Sequence, residues 1–291
     1  MRARLIGLAC VGLIGWSVSE DAALGSPQPA AETAGPAIAW RVSPGGGQVP
    51  AMSGDAGEKL TRASDRQAAP VSPVIVIGFV GGFVGHSNTV HSPVQLAARL
   101  RCDYPSGLYV EVFENHRRED AHRKILQLLS TGHSGNPSEK EKRDARIIIY
   151  GMSWGGSETV GLARELEAQN IPVLLTIQVD SVGKWGENDG LIPVNVAEAV
   201  NFYQDNGLVH GRAKIQAEDE QRTRILGNFR YDYKAKPVTC KGYPWWDRKL
   251  MKYHTQIECD PAVWNRVEAM IQEKLARGEG KNGADAERKP E

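Results

Sequence analysis

The segment Gly151-Met152-Ser153-Trp154-Gly155 sets a hydroxyl between two glycines at the spacing of a sharp turn. An apolar run, Ile147-Ile148-Ile149-Tyr150, precedes it and a helical pattern follows. A serine on such a strand-to-helix turn projects its hydroxyl above a sheet, where the helix N-terminus favours developing negative charge. That is the chemistry of an acyl-transfer nucleophile. Alone, the pentapeptide equally suits a glycine-rich turn.

A serine hydroxyl attacks only when a base takes its proton. Seven histidines are present: 86, 91, 116, 122, 133, 210 and 254. His254 lies after all the expected strands and shortly before the last expected helix, in Tyr253-His254-Thr255-Gln256, which reads as a loop. It is the expected base. His86 and His91 read as polar loop residues, and His122 as a helix-surface residue. The base in turn needs a carboxylate to hold its tautomer. Asp180 directly follows the apolar run Val173–Val179, and Asp219 follows an alternating stretch, Ala213–Ala217, suited to an edge strand. Asp180 is the preferred acid and Asp219 the alternative; Asp189 sits among Gly and Asn and reads as a turn. Two backbone donors must meet the oxyanion. One is expected to be the amide of Trp154; the other is Phe79 or Val80, in the glycine-rich stretch Ile77-Gly78-Phe79-Val80-Gly81-Gly82-Phe83. That stretch lacks the spacing of a P-loop or a dinucleotide fingerprint.

These residues need elements to position them. Val74–Ile77, Leu108–Phe113, Arg146–Tyr150 and Val173–Val179 are short, β-branched and largely apolar, as strands buried on both faces are. Helical periodicity lies between and after them. Ala121, Ile125, Leu128 and Leu129 share a face within Arg118–Ser130; Val160, Ala163 and Leu166 share one within Thr159–Gln169. Pro193 suits the first turn of a helix carrying Val196, Val200 and Tyr203. Asp260 and Pro261 open a last helix with Val263, Val267, Met270 and Ile271 on its buried side. Strand–helix alternation predicts an α/β fold, a mainly parallel sheet with helices on both faces in a single domain. In such sheets function gathers at the strand carboxyl ends.

The motifs Gly78-Phe79-Val80-Gly81-Gly82 and Gly151-Met152-Ser153-Trp154-Gly155-Gly156, with the order Ser153, Asp180, His254, resemble the α/β-hydrolase family and its esterase and lipase branch. The resemblance spans about Val74 to Ala276. It implies hydrolysis of an ester, thioester or amide through an acyl-enzyme, with a small-molecule or lipid-like ester as substrate and no cofactor. Ile77 stands where many lipases carry a histidine, and no long apolar lid segment is evident. An inactive binding protein on this fold, or a serine peptidase or polymer-degrading hydrolase, is the alternative reading.

Composition removes other classes. Of 291 residues, 35 are Lys or Arg and 35 Asp or Glu, so the chain lacks the basic footprint of nucleic-acid binders. Arg2 and Arg4 precede the apolar run Leu5–Trp16, and small residues follow, as in a secretory signal of about 23 residues. That run is too short to span a bilayer, which takes about 20 residues. The expectation is a secreted or periplasmic protein with no membrane span after processing. Residues 24–70, rich in Ala, Pro and Gly, read as a linker with an edge strand near Ile38–Val42. Residues 71–277 read as the catalytic domain and 278–291 as a solvated tail. No metal-binding spacing is present. Cys240 and Cys259 are the candidates for a disulfide, bracketing Tyr243-Pro244-Trp245-Trp246 and His254.

Overall fold

The computed structural model describes residues 74–132 and 136–286, with side chains as far as Ala276. The expected signal (1–23), linker (24–70), edge strand near Ile38–Val42 and the end of the tail lie outside the described residues. In chain order the elements are β1 (Val74–Val80), α1 (Ser92–Asp103), β2 (Leu108–Glu114), α2 (Arg118–Leu129), α3 (Glu139–Arg143), β3 (Ile147–Met152), α4 (Trp154–Glu167) and β4 (Leu175–Val179). There follow β5 (Leu191–Ile192), β6 (Glu198–Tyr203), β7 (Gln216–Ala217), β8 (Arg224–Arg230), α5 (Trp245–Leu250), α6 (Lys252–Cys259) and α7 (Pro261–Ala286).

Six strands form an open sheet in the order β2-β1-β3-β4-β6-β8, every neighbouring pair parallel. β5 and β7 make a separate two-stranded pair. Period-two alternation divides the central strands between two cores. Val76, Ile148, Tyr150, Leu175, Ile177, Val200 and Phe202 face one way, against α1 (Leu96, Ala97, Leu100) and α7 (Val263, Val267, Ile271). Ile75, Ile77, Phe79, Ile147, Ile149 and Ala199 face the other, against α2 (Ala121, Ile125) and α4 (Val160, Ala163, Leu166). Burying each such aliphatic side chain contributes about 1.5–3 kcal/mol. The expected α/β architecture, a parallel sheet covered by helices on both faces, is therefore present.

Several local expectations need correction. The stretch after Pro193 is a strand, β6, rather than a helix. Its Val196/Val200 spacing fits either period, but β6 pairs with β4 on one side and β8 on the other, and four of its six residues are buried. Sheet pairing on both edges outweighs the local helical signal. Ala213–Ala217 yields only the two-residue β7. β8 and α1 answer to no expectation: Gly227 and a register shift interrupt the alternation of β8, while α1, with Pro93 in its first turn, has no side-chain cap. The last helix runs on to Ala286, beyond the boundary expected at residue 277. Among the described residues no helix is long and apolar enough to cross a membrane.

Candidate active site

One of the two central strands, β3, ends at Met152, and α4 begins two residues later. Between them Ser153 adopts φ 58° and ψ −125°, a conformation that costs a non-glycine residue on the order of 1–3 kcal/mol. Its backbone is held by β4 and the segment beyond. Ser153 N–H donates to Val179 O (3.0 Å), and Val182 N–H donates to Ser153 O (3.1 Å). The turn is too tight for side chains at its flanks. A Cβ at Gly151 would lie 2.1 Å from Gly155 O, and one at Gly155 would lie 2.5 Å from Phe79 O.

Three side chains far apart in sequence converge above this edge of the sheet. His254 Nε2 lies 2.9 Å from Ser153 Oγ, and His254 Nδ1 lies 2.7 Å from Asp180 Oδ2. Asp180 is fully buried, itself at positive φ (44°) one residue past β4. Its carboxylate accepts further bonds from Gln204 Nε2 (2.7 Å), Gln204 N–H (3.2 Å) and Gly211 N–H (2.7 Å). Four donors thus face one carboxylate, enough to keep its charge solvated without water. Sequence reasoning did not single out Gln204. It is held in turn, Nε2 donating to Val209 O (3.0 Å) and Oε1 accepting from Asn206 N–H (2.8 Å). Nothing in its local sequence marks it; burial just after β6 is what sets it apart.

His254 stands on α6, not in a loop. α6 is pinned on three sides. Cys259 at its end is bonded to Cys240, so the anticipated disulfide is present. His91 Nδ1 lies 2.6 Å from Glu258 Oε1, which ties the N-terminus of α1 to α6; His91 is a buried partner rather than a polar loop residue. Thr255 Oγ1 donates to Asp247 O (2.9 Å), joining α6 to α5. Asp260 then opens α7, accepting from Ala262 N–H (2.9 Å) and from Tyr233 OH (2.9 Å).

The remaining candidates fall elsewhere. Asp219 lies in the turn leading into β8, where its carboxylate accepts from Gln221 N–H (2.8 Å). Because β8 runs parallel to β4, that turn is at the amino-terminal edge of the sheet and Asp180 at the carboxyl edge. Asp189 is no surface turn residue. It is buried, accepts from Ser181 Oγ (2.6 Å) and pairs with Arg212 Nε (2.8 Å), bracing the segment that follows Asp180. His86 pairs with Glu114, and His122 Nδ1 lies 3.3 Å from Glu165.

The glycine-rich stretch meets Ser153 slightly later than expected. Phe79 and Val80 remain inside β1, paired in register with Phe113 and Glu114. Gly81 is the residue that closes on the turn: a Cβ there would lie 2.7 Å from Ser153 Cβ and 2.9 Å from Met152 O. Asn115, buried at the end of β2, donates from Nδ2 to Gly82 O and holds this loop in place. Trp154 is the first residue of α4, so its N–H has no partner within the helix ladder. Among the described residues no group of three His, Cys, Asp or Glu side chains is placed to hold a metal ion.

Fold and turn together define an α/β chain that carries a serine on a strained strand-to-helix turn at the carboxyl edge of a parallel sheet. No protein-family model matches the sequence, and no curated protein matches it. Solved structures similar to it include RedJ with a PEG molecule bound in its active site. RedJ is 11% identical, over 71% of this chain and 95% of its own, at a TM-score of 0.33. Esterase B from Lactobacillus rhamnosis is 12% identical, over 76% of this chain and 81% of its own, at a TM-score of 0.34.

Proposed function

We propose that this protein is an exported serine hydrolase that cleaves a carboxylic ester or thioester through an acyl-enzyme. Ser153 is the nucleophile on a nucleophile elbow, His254 the base and Asp180 the acid. The observation that carries the reading is the chain of contacts Ser153 Oγ, His254 Nε2, His254 Nδ1, Asp180 Oδ2, at 2.9 and 2.7 Å on a strained turn.

The steps follow from those contacts. His254 Nε2 takes the hydroxyl proton as Ser153 Oγ bonds to the carbonyl carbon of the substrate. Asp180 accepts from His254 Nδ1–H and stabilises the imidazolium. The carbonyl electrons move onto oxygen, where the Trp154 amide and the amides of the Gly81–Gly82 segment donate to the oxyanion. The oxyanion collapses and the carbon–oxygen or carbon–sulfur bond breaks. His254 gives its proton to the departing alcohol or thiol. Water, deprotonated by the same imidazole, then attacks the acyl-serine and releases the acid. Residues 1–23 supply the export signal, the reading their basic head and short apolar run support.

Ser153→Ala abolishes turnover of a short p-nitrophenyl ester and covalent labelling by a fluorophosphonate. Retained turnover in that variant, or no labelling of the wild type, rejects the reading.

A further inference from the structure

Among the described residues six large apolar side chains stand exposed: Phe83, Trp185, Leu208, Trp245, Trp246 and Leu250. Every one lies on a segment leaving the carboxyl end of a strand in the parallel sheet. Phe83 follows β1, Trp185 follows β4, Leu208 follows β6, and the other three belong to α5, after β8. The opposite edge of the sheet presents none among the described residues.

Contacts link these segments around Ser153 and His254. The Phe83 ring meets the edge of Trp154, centroids 5.9 Å apart. Lys184, beside Trp185, donates from Nζ to Asn115 O (2.6 Å), and Asn115 also holds Gly82. Gly207, beside Leu208, approaches the ring of Tyr253, the neighbour of His254. α5 is bonded to α6 through Thr255 and Asp247. Exposed apolar side chains on segments linked this way are costly in water and point to a docking face.

The charge beside them identifies the partner. Between residues 234 and 252 the chain carries Lys234, Lys236, Lys241, Arg248, Lys249 and Lys252 against Asp247 alone, in a protein whose overall charge is zero. All six cations are exposed, and none joins an ion pair among the described residues. Tryptophan and leucine interleaved with lysine and arginine on a short exposed helix suit the boundary of an anionic bilayer. The rings enter the headgroup layer while the cations meet the phosphates.

We propose that the face bearing Ser153 and His254 docks on an anionic lipid surface, with α5 and its Trp245–Trp246 pair as the anchor and the surrounding lysines and arginine as the electrostatic clamp. The docking goes beyond the hydrolase reading and requires no turnover.

The test is co-sedimentation of the full chain with phosphatidylcholine vesicles and with vesicles containing phosphatidylglycerol. At low salt the wild type partitions at least about tenfold more strongly onto the anionic vesicles, and high salt removes the difference. Trp245→Ala with Trp246→Ala weakens that binding by about tenfold, and Arg248→Glu with Lys249→Glu removes the anionic preference. Both pairs are exposed, and unchanged thermal unfolding certifies the fold. The apolar run Leu5–Trp16 is common to all variants, so differences between them read this face alone. Ser153→Ala binds as the wild type does, which separates failure of docking from failure of the hydrolase assignment. Equal partition onto both vesicle types overturns the proposal, as does undiminished binding by the tryptophan variant. A dimer that the tryptophan variant dissolves, with no vesicle-bound fraction, assigns the face to a second copy of the chain and overturns it too.

Discussion

Replacing Asp180 by Asn keeps the shape of the side chain and exchanges one acceptor oxygen for an NH2 donor. In the structure Oδ2 accepts from His254 Nδ1 and Gln204 Nε2, while Oδ1 accepts from two backbone amides, Gln204 N–H and Gly211 N–H. The new NH2 must face one pair or the other. Turned toward Oδ1's partners, it strands two buried backbone donors, at about 1–3 kcal/mol each. Turned toward Oδ2's partners, it displaces only Gln204 Nε2, which still has Val209 O at 3.0 Å. The second orientation wins. It forces the His254 proton onto Nε2, so the imidazole can no longer accept the proton of Ser153. A tautomer trapped in this way costs about 10⁴-fold in kcat, or about 5 kcal/mol of transition-state stabilisation. Asp219→Asn, at the opposite edge of the sheet, is expected to change the rate by no more than about twofold. The assay is turnover of a soluble p-nitrophenyl ester per folded molecule, with folding checked by near-ultraviolet circular dichroism. Asp180→Asn retaining more than about a tenth of the wild-type rate, or losing less than Asp219→Asn, would refute the reasoning.

Other perturbations test the scaffold. Gly151→Ala drives a Cβ to 2.1 Å from backbone Gly155 O, which cannot retreat without unwinding the first turn of α4; a loss of about 3 kcal/mol in urea unfolding is expected, and a native midpoint contradicts it. Replacing Cys240 and Cys259 together by Ser opens a link of sequence separation 19, for which chain entropy gives about 3 kcal/mol; thermal unfolding measures it, and an unchanged midpoint argues against the staple. Burial opposes the charge of Glu114, but bonds from His86 outweigh it and draw its carboxyl down from 4.5 to about 2. Its stabilisation is therefore present above pH 4.5 and lost as pH falls toward 2. After solvent screening of this partly exposed pair it amounts to about 1 kcal/mol. Glu114→Gln should flatten the stability curve across that window; a slope as steep as the wild type's assigns the acid sensitivity elsewhere.

The first four strands were legible because each is a short, largely apolar run rich in β-branched residues; β1, β3 and β4 are buried along their whole length, and β2, at the sheet edge, at Val110, Val112 and Phe113. The turn at Ser153 was legible because only glycines fit beside it. Its strand-and-helix context is likewise written within ten consecutive residues. β6 was not legible, since Val196 and Val200 suit a helix until β4 and β8 pair with the segment from either side. His254 was singled out by its position late in the chain, yet its helix was hidden, because α6 is secured by a disulfide, His91 and α5 rather than by its own periodicity.

What the sequence determined by itself was therefore local: which runs are strands, where the sharp turn falls, and which residue types are available for acid, base and nucleophile. Tertiary structure alone separated Asp180 from Asp219, because strand direction sends the two carboxylates to opposite edges of one sheet. It also brought Gly81 to Ser153, supplied Gln204 as the support of Asp180, and buried Asp189 under Arg212. It set the exposed tryptophans of distant segments on loops and a helix that follow the carboxyl ends of the sheet's strands. Proximity between residues dozens of positions apart depends on how strands are ordered and which way they run. No window of neighbouring residues encodes that order.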